Sequence, residues 1–94
     1  MTTFKKFDRS DYINSPEQAS EYLQLMFNEN SLEGFYKALG DVAKAKGMNA
    51  ISEETNLGRE SLYKALSENG NPKFSTVAKT LKSLNINMKF EAIH

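Results

Sequence analysis

MNAISEETNLGRESLYKAL, the run from Met48 to Leu66, is the stretch whose reading decides the fold. It reads as a short helix, a turn, and a second helix whose first turn is polar. Two short helices that cross steeply need a small residue on the first where they meet, a left-handed turn residue between them, and bulky aliphatics on both inner faces. Ser52 is the small residue, Asn56 the turn residue, and Ile51, Leu57 and Leu62 the aliphatics. Asparagine suits the turn because its short polar side chain tolerates the left-handed region. With those residues facing inward, Arg59, Glu60, Tyr63 and Lys64 must point outward on the second helix, while Ala65 and Leu66 continue its buried side.

Upstream of this run the spacing predicts two longer helices. Ser15, Pro16 and Gln18 form a helix start: a hydroxyl cap, a proline whose missing N–H costs nothing in the first turn, and an amide three residues after the cap. Ala19, Tyr22, Leu23, Met26 and Phe27 then recur on one helical stripe that ends near Asn28-Glu29-Asn30. Ser31 caps the next helix, whose apolar set is Leu32, Phe35, Tyr36, Leu39, Val42 and Ala43, until Gly47 supplies a left-handed stop. Gly34 and Gly40 inside it each cost about 1 kcal/mol relative to alanine, which points to close helix packing. Asn49 is expected to open the third helix.

Downstream, Glu68-Asn69-Gly70-Asn71-Pro72 is a loop, and a fifth helix capped by Ser75 is expected to bury Phe74, Val77, Ala78, Leu81 and Leu84 before ending at Asn85. Ile86, Met88, Phe90 and Ala92 alternate with polar residues, the period of a half-buried strand. A lone strand needs either residues 1–14 or a second copy of the chain to pair with. Those first 14 residues show no period and read as an arm. The division is therefore an arm over 1–14, a helical domain over 15–85 and a C-terminal strand over 86–94, with the strand as the expected dimer contact.

Composition narrows the function classes. A single domain of 94 residues buries only about 60–65% of the surface its unfolded chain exposes, so dimerisation would supply useful extra burial. The chain has no cysteine, which excludes disulfides and thiolate metal sites. The opening MTTFKKFDRSDY lacks the apolar run of a signal peptide, and no stretch is apolar for long enough to span a bilayer, so a cytosolic protein without membrane contact is expected. Formal net charge is zero, yet its distribution is uneven. Residues 1–43 carry four cations against seven anions, and residues 44–82 carry seven against four. An acidic front and a basic back suggest two surfaces for two partners, with the back half suited to DNA.

The outward face of the fourth helix is equipped for the major groove. Arg59 can donate two hydrogen bonds to guanine, Glu60 can accept from cytosine, Lys64 can reach guanine or phosphate, and Tyr63 can meet a thymine methyl or a phosphate. Asn49 and Ser61 near helix starts, Ser67 at the helix end, and Asn71 and Lys73 in the following loop are placed to hold the DNA backbone. The alternative is that Arg59, Glu60 and Lys64 form an ordinary solvated helix face. Catalysis is disfavoured, because the single histidine is the terminal His94 and a nucleophile would have no ordered base beside it. Asp41 and Glu53-Glu54 are scattered carboxylates rather than a metal set, and Tyr22, Met26 and Phe27 at helical spacing are core rather than a cofactor box. No cofactor and no metal are expected.

Four blocks carry a family resemblance: ALGDVAKAKGM (Ala38 to Met48), ESLYKALSENGNP (Glu60 to Pro72), FSTVAKTLKSL (Phe74 to Leu84), and an opening with Phe7-Asp8, Tyr12-Ile13 and Ser15-Pro16-Glu17. Over nearly its whole length the chain resembles the addiction-module antidote proteins, a HigA-like branch of the Cro/repressor-type helix-turn-helix antitoxins. Two departures stand out: Ser52 and Asn56 replace the alanine and glycine usual in such antitoxins, and Gly58 stands where a serine often caps the recognition helix. The resemblance implies an all-α, five-helix lambda-repressor-like DNA-binding bundle with a helix-turn-helix plus the short C-terminal strand. It also implies a type II antitoxin that neutralises a RelE/ParE-like ribonuclease or gyrase-poison toxin by direct binding. Repression of its own operon, as a homodimer on double-stranded operator DNA, completes that expectation.

A basic toxin would suit the acidic front half, where Phe4, Phe7, Tyr12, Glu17 and Glu21 are the candidate contacts; the alternative is that those aromatics pack on the chain's own core. Two other functions stay open. One is a free-standing helix-turn-helix regulator without a toxin; the other is a protein-interaction module whose helix-turn-helix has lost DNA.

Overall fold

Hydroxyl caps open the first two helices where the sequence places them. In a computed structural model of the chain, which describes residues 15–29, 31–67 and 69–94, the amide of Gln18 donates to Ser15 Oγ at 3.2 Å and that of Gly34 to Ser31 Oγ at 3.4 Å. Each cap satisfies an amide that has no partner within its helix. Helix α1 spans Pro16–Glu29, α2 Leu32–Lys46, α3 Met48–Thr55, α4 Arg59–Ala65 and α5 Phe74–Ser83. The expected arm, with Phe4, Phe7 and Tyr12, lies outside the described residues.

The helices pack in a chain of neighbours: α1 on α2, α2 on α3 and α4, and α3 on α4 and α5. One core forms where their apolar stripes meet, with Ala19 and Leu23 from α1, Leu39, Val42 and Ala43 from α2, Ile51 from α3, Leu62 and Leu66 from α4 and its cap, and Val77, Leu81 and Leu84 from α5. Leu39, Ile51 and Leu62 are essentially sealed from water. Burying each such side chain stabilises the fold by about 1.5–3 kcal/mol. Thr80, also sealed, donates its hydroxyl to the carbonyl of Thr76 at 2.7 Å, so its burial leaves no polar group unpaired.

Two glycines answer to geometry. Gly47 links α2 to α3 at φ 118 and ψ 113, positive as expected but outside the left-handed helical basin, so that one residue both stops α2 and starts α3. Gly40 lies where α2 meets the end of α4. A Cβ there would collide with the carbonyl oxygen of Leu66.

Helix α5 ends in a Schellman motif. Leu84 is the C-cap, Asn85 takes φ 61, and the amides of Asn85 and Ile86 return to the carbonyls of Lys82 and Leu81 at 3.1 and 3.0 Å. The motif turns Ile86 onto the core.

The structure corrects several expectations. Residues 86–94 form neither helix nor strand, because a strand exists only through a ladder to a second backbone and none of the described residues offers one. Asn87 to His94 are exposed, including Phe90 and Ile93. The helical stripes predict Phe27, Leu32 and Phe74 on buried sides, yet they are 54%, 57% and 68% exposed. Leu32 and Phe74 begin their helices and Phe27 lies near the end of α1, so all three overhang the core. The ring of Phe27 instead meets Phe35 edge-on at 5.4 Å. Helix α3 opens at Met48 rather than Asn49, and α5 begins after Lys73 without a side-chain cap rather than at Ser75.

Candidate nucleic-acid interface

The turn between α3 and α4 is built from the residues that predict it. Asn56 adopts φ 59 and ψ 30, the left-handed conformation that asparagine accepts more readily than most residues. Ser52 does more than leave space, because its hydroxyl donates to the carbonyl of Leu57 at 2.5 Å. Thr55 Oγ1 donates back to Ile51 at 2.6 Å and accepts from the amide of Leu57 at 3.3 Å. Two hydroxyls of α3 therefore tie both polar groups of Leu57, fixing the backbone that launches α4. A net hydrogen bond of this kind contributes about 1 kcal/mol.

Gly58 follows in an extended conformation, and α4 begins without a side-chain cap. Its inner side is pinned by Leu62 and, just beyond its end, Leu66. Consequently Arg59, Glu60, Ser61, Tyr63 and Lys64 all lie on the exposed side. Asn49, Asn71 and Lys73 are exposed as well, whereas Ser67 is half-buried and spends its hydroxyl on the carbonyl of Lys64 at 2.8 Å.

Tyr63 is 37% exposed, and its ring is shared by two cations. Arg59 Cζ, one turn earlier on α4, and Lys44 Nζ, from the last turn of α2, each stand 5.6 Å from its centroid. Such contacts contribute about 0.5–1 kcal/mol each at exposed positions. Sequence reasoning missed Lys44. A lysine in the last turn of a helix is ordinarily explained by the negative end of the helix dipole, and only packing shows that it reaches α4.

Charge pairing sets the cations around α4 apart from several others. Among the described residues, Lys37 pairs with Asp41 at 3.6 Å, Lys46 with Glu54 at 3.1 Å and Lys89 with Glu91 at 3.5 Å. Lys44, Arg59, Lys64 and Lys73 have no carboxylate within ion-pair range among those residues. Away from α4, Glu54 accepts from Ser83 Oγ at 2.5 Å and from Lys46, and Lys46 also donates to the carbonyl of Ser83. The hydrogen bond from Ser83, with that from Lys46, holds the Glu54 carboxyl below the usual glutamate range.

Of the five expected toxin contacts, Glu17 and Glu21 are described, and both are exposed on α1. Among the described residues, no helix is long and apolar enough to cross a membrane.

Comparison with known proteins adds identity to this geometry. A Haemophilus influenzae protein described as an uncharacterized protein is 40% identical over 87 residues, a match covering 93% of this chain and 90% of that protein. No solved structure matches the chain. A family model described as "Probable addiction module antidote protein" matches residues 3–92. With that match running over almost its whole length, the chain belongs to the family of probable addiction module antidote proteins.

Proposed function

We propose that the chain is the antitoxin of a type II toxin–antitoxin pair, binding its cognate toxin directly and repressing its own operon through a helix-turn-helix made of α3 and α4. One observation carries the DNA part of this reading: Leu62 and Leu66 anchor α4 while Arg59, Glu60, Tyr63 and Lys64 stand together on its open side. In a major groove Arg59 would take guanine, Glu60 cytosine, Lys64 guanine or phosphate, and Tyr63 a thymine methyl or phosphate. Asn49, Ser61, Asn71 and Lys73 would hold the DNA backbone, with Ser67 limited by its bond to Lys64.

In this reading the five helices form a lambda-repressor-like bundle that works by binding rather than catalysis, in the cytoplasm. A homodimer would set two α4 helices about 34 Å apart, to meet successive major grooves. The exposed Met88, Phe90 and Ile93 are the candidate apolar contact between copies. Toward a basic toxin of the RelE/ParE-like type, the acidic outer side of α1 with Glu17 and Glu21 is the candidate surface, and Phe4, Phe7 and Tyr12 are the further candidate contacts.

A gel shift on the DNA upstream of the chain's own gene tests the operator reading. The double variant Arg59→Ala, Lys64→Ala should lose binding, and equal retention by wild type and variant would sink the assignment. Growth rescue on co-expression with the neighbouring gene's product tests the toxin reading, and failure to protect against a toxic neighbour would refute it.

A further inference from the structure

Resting on the operator-binding reading above, we infer that Lys44 of α2 is a DNA-phosphate contact held in place by the Tyr63 ring, so that the nucleic-acid surface extends from α4 onto α2. One carboxylate on α2 stands close to Lys44 in sequence yet does not pair with it. Asp41 lies one turn before Lys44 on α2 and could have neutralised it. Instead Asp41 is engaged by Lys37 at 3.6 Å and by the Tyr22 hydroxyl, which donates to it at 3.3 Å. Lys44 is left exposed, with its ammonium against the ring of Tyr63.

The same ring holds Arg59. Two like charges thus converge on one aromatic side chain, with no carboxylate paired to either among the described residues. Their mutual repulsion is weak in water, and an anion facing both adds an attraction that outweighs it. A DNA strand presents such anions in series, one about every 3.4 Å along the helix axis. An ammonium is a flexible point charge suited to phosphate, whereas the forked guanidinium suits the base edge. The geometry therefore divides the labour: Arg59 reads and Lys44 positions, each held at the Tyr63 ring.

Salt titration of binding distinguishes a phosphate contact from a structural role. The probes are a duplex from immediately upstream of the chain's own gene and an unrelated duplex of equal length. For Lys44→Gln, the slope of log affinity against log salt should flatten by about 0.9 on both duplexes, with binding roughly fivefold weaker at physiological salt. Lys44→Arg, which keeps the charge and the ring contact, should restore the slope. Replacing Lys44 in a Tyr63→Leu background should cost less than in wild type, because the ring no longer holds the ammonium.

A Lys44→Gln slope equal to wild type overturns the inference, as does a loss confined to the cognate duplex. If wild type binds neither duplex in a salt-dependent way, the operator reading itself fails. An unchanged thermal midpoint in Lys44→Gln places the effect in binding rather than folding, and a lowered midpoint with an unchanged slope counts against the contact.

Discussion

Gly40 is the residue at which helix propensity and packing demand opposite things. On a free helix surface, Gly→Ala would stabilise by about 1 kcal/mol. Here the new Cβ would collide with the backbone carbonyl of Leu66, and backbone cannot rotate away as a side chain can. Gly40→Ala should therefore destabilise by about 1–3 kcal/mol, as overpacking does, and chemical denaturation reads the sign directly. A stabilised variant would show that α2 and the end of α4 are not in contact. Ser52 and Asn56 teach the complementary lesson. Their departure from alanine and glycine is accommodated, because Asn56 adopts the left-handed turn and Ser52 adds a hydrogen bond to Leu57.

At the scale of elements, α4 is the least self-sufficient helix. It has seven residues and no side-chain cap, well below the length at which an isolated helix persists in water. Its order comes from Leu62 and Leu66 below and from the tied backbone of Leu57 at its start. A serine at Gly58 could accept a hydrogen bond from the first turn, and the site is roomy: a Cβ there meets only the Ser61 side chain, at ordinary contact distance. Gly58→Ser should raise stability by a few tenths of a kcal/mol, seen as a small rise in thermal midpoint. A fall would mean that the extended backbone at Gly58 does not serve as a helix start.

Across the whole molecule, Lys46, Glu54 and Ser83 join α2, α3 and the end of α5 in one polar cluster. The Glu54 carboxyl titrates lower when folded than when unfolded, because the Ser83 hydroxyl and the Lys46 ammonium donate to its charged form. Its contribution is therefore present above the ordinary carboxylate range and is lost as pH falls through the folded value. Denaturation midpoints compared at about pH 7 and about pH 3 should fall less for Glu54→Gln than for wild type. Equal falls would assign the acid sensitivity to other carboxylates.

Periodicity was enough to place five helices, and capping chemistry the starts of the first two, because both act within a few residues of chain. Ser15, Ser31, Asn56 and the outward set on α4 were legible for that reason, and so was the family, through blocks of sequence that run the length of the chain. Three features depended on neighbours distant in sequence. The ends of α1, α2 and α5 leave Phe27, Leu32 and Phe74 exposed, since a helical stripe does not say where the core beneath it stops. Residues 86–94 alternate like a strand but form none, since a ladder needs a second backbone. Lys44 joins Tyr63 and Arg59 only because α2 and α4 pack together around Gly40, and proximity of that kind belongs to the tertiary structure.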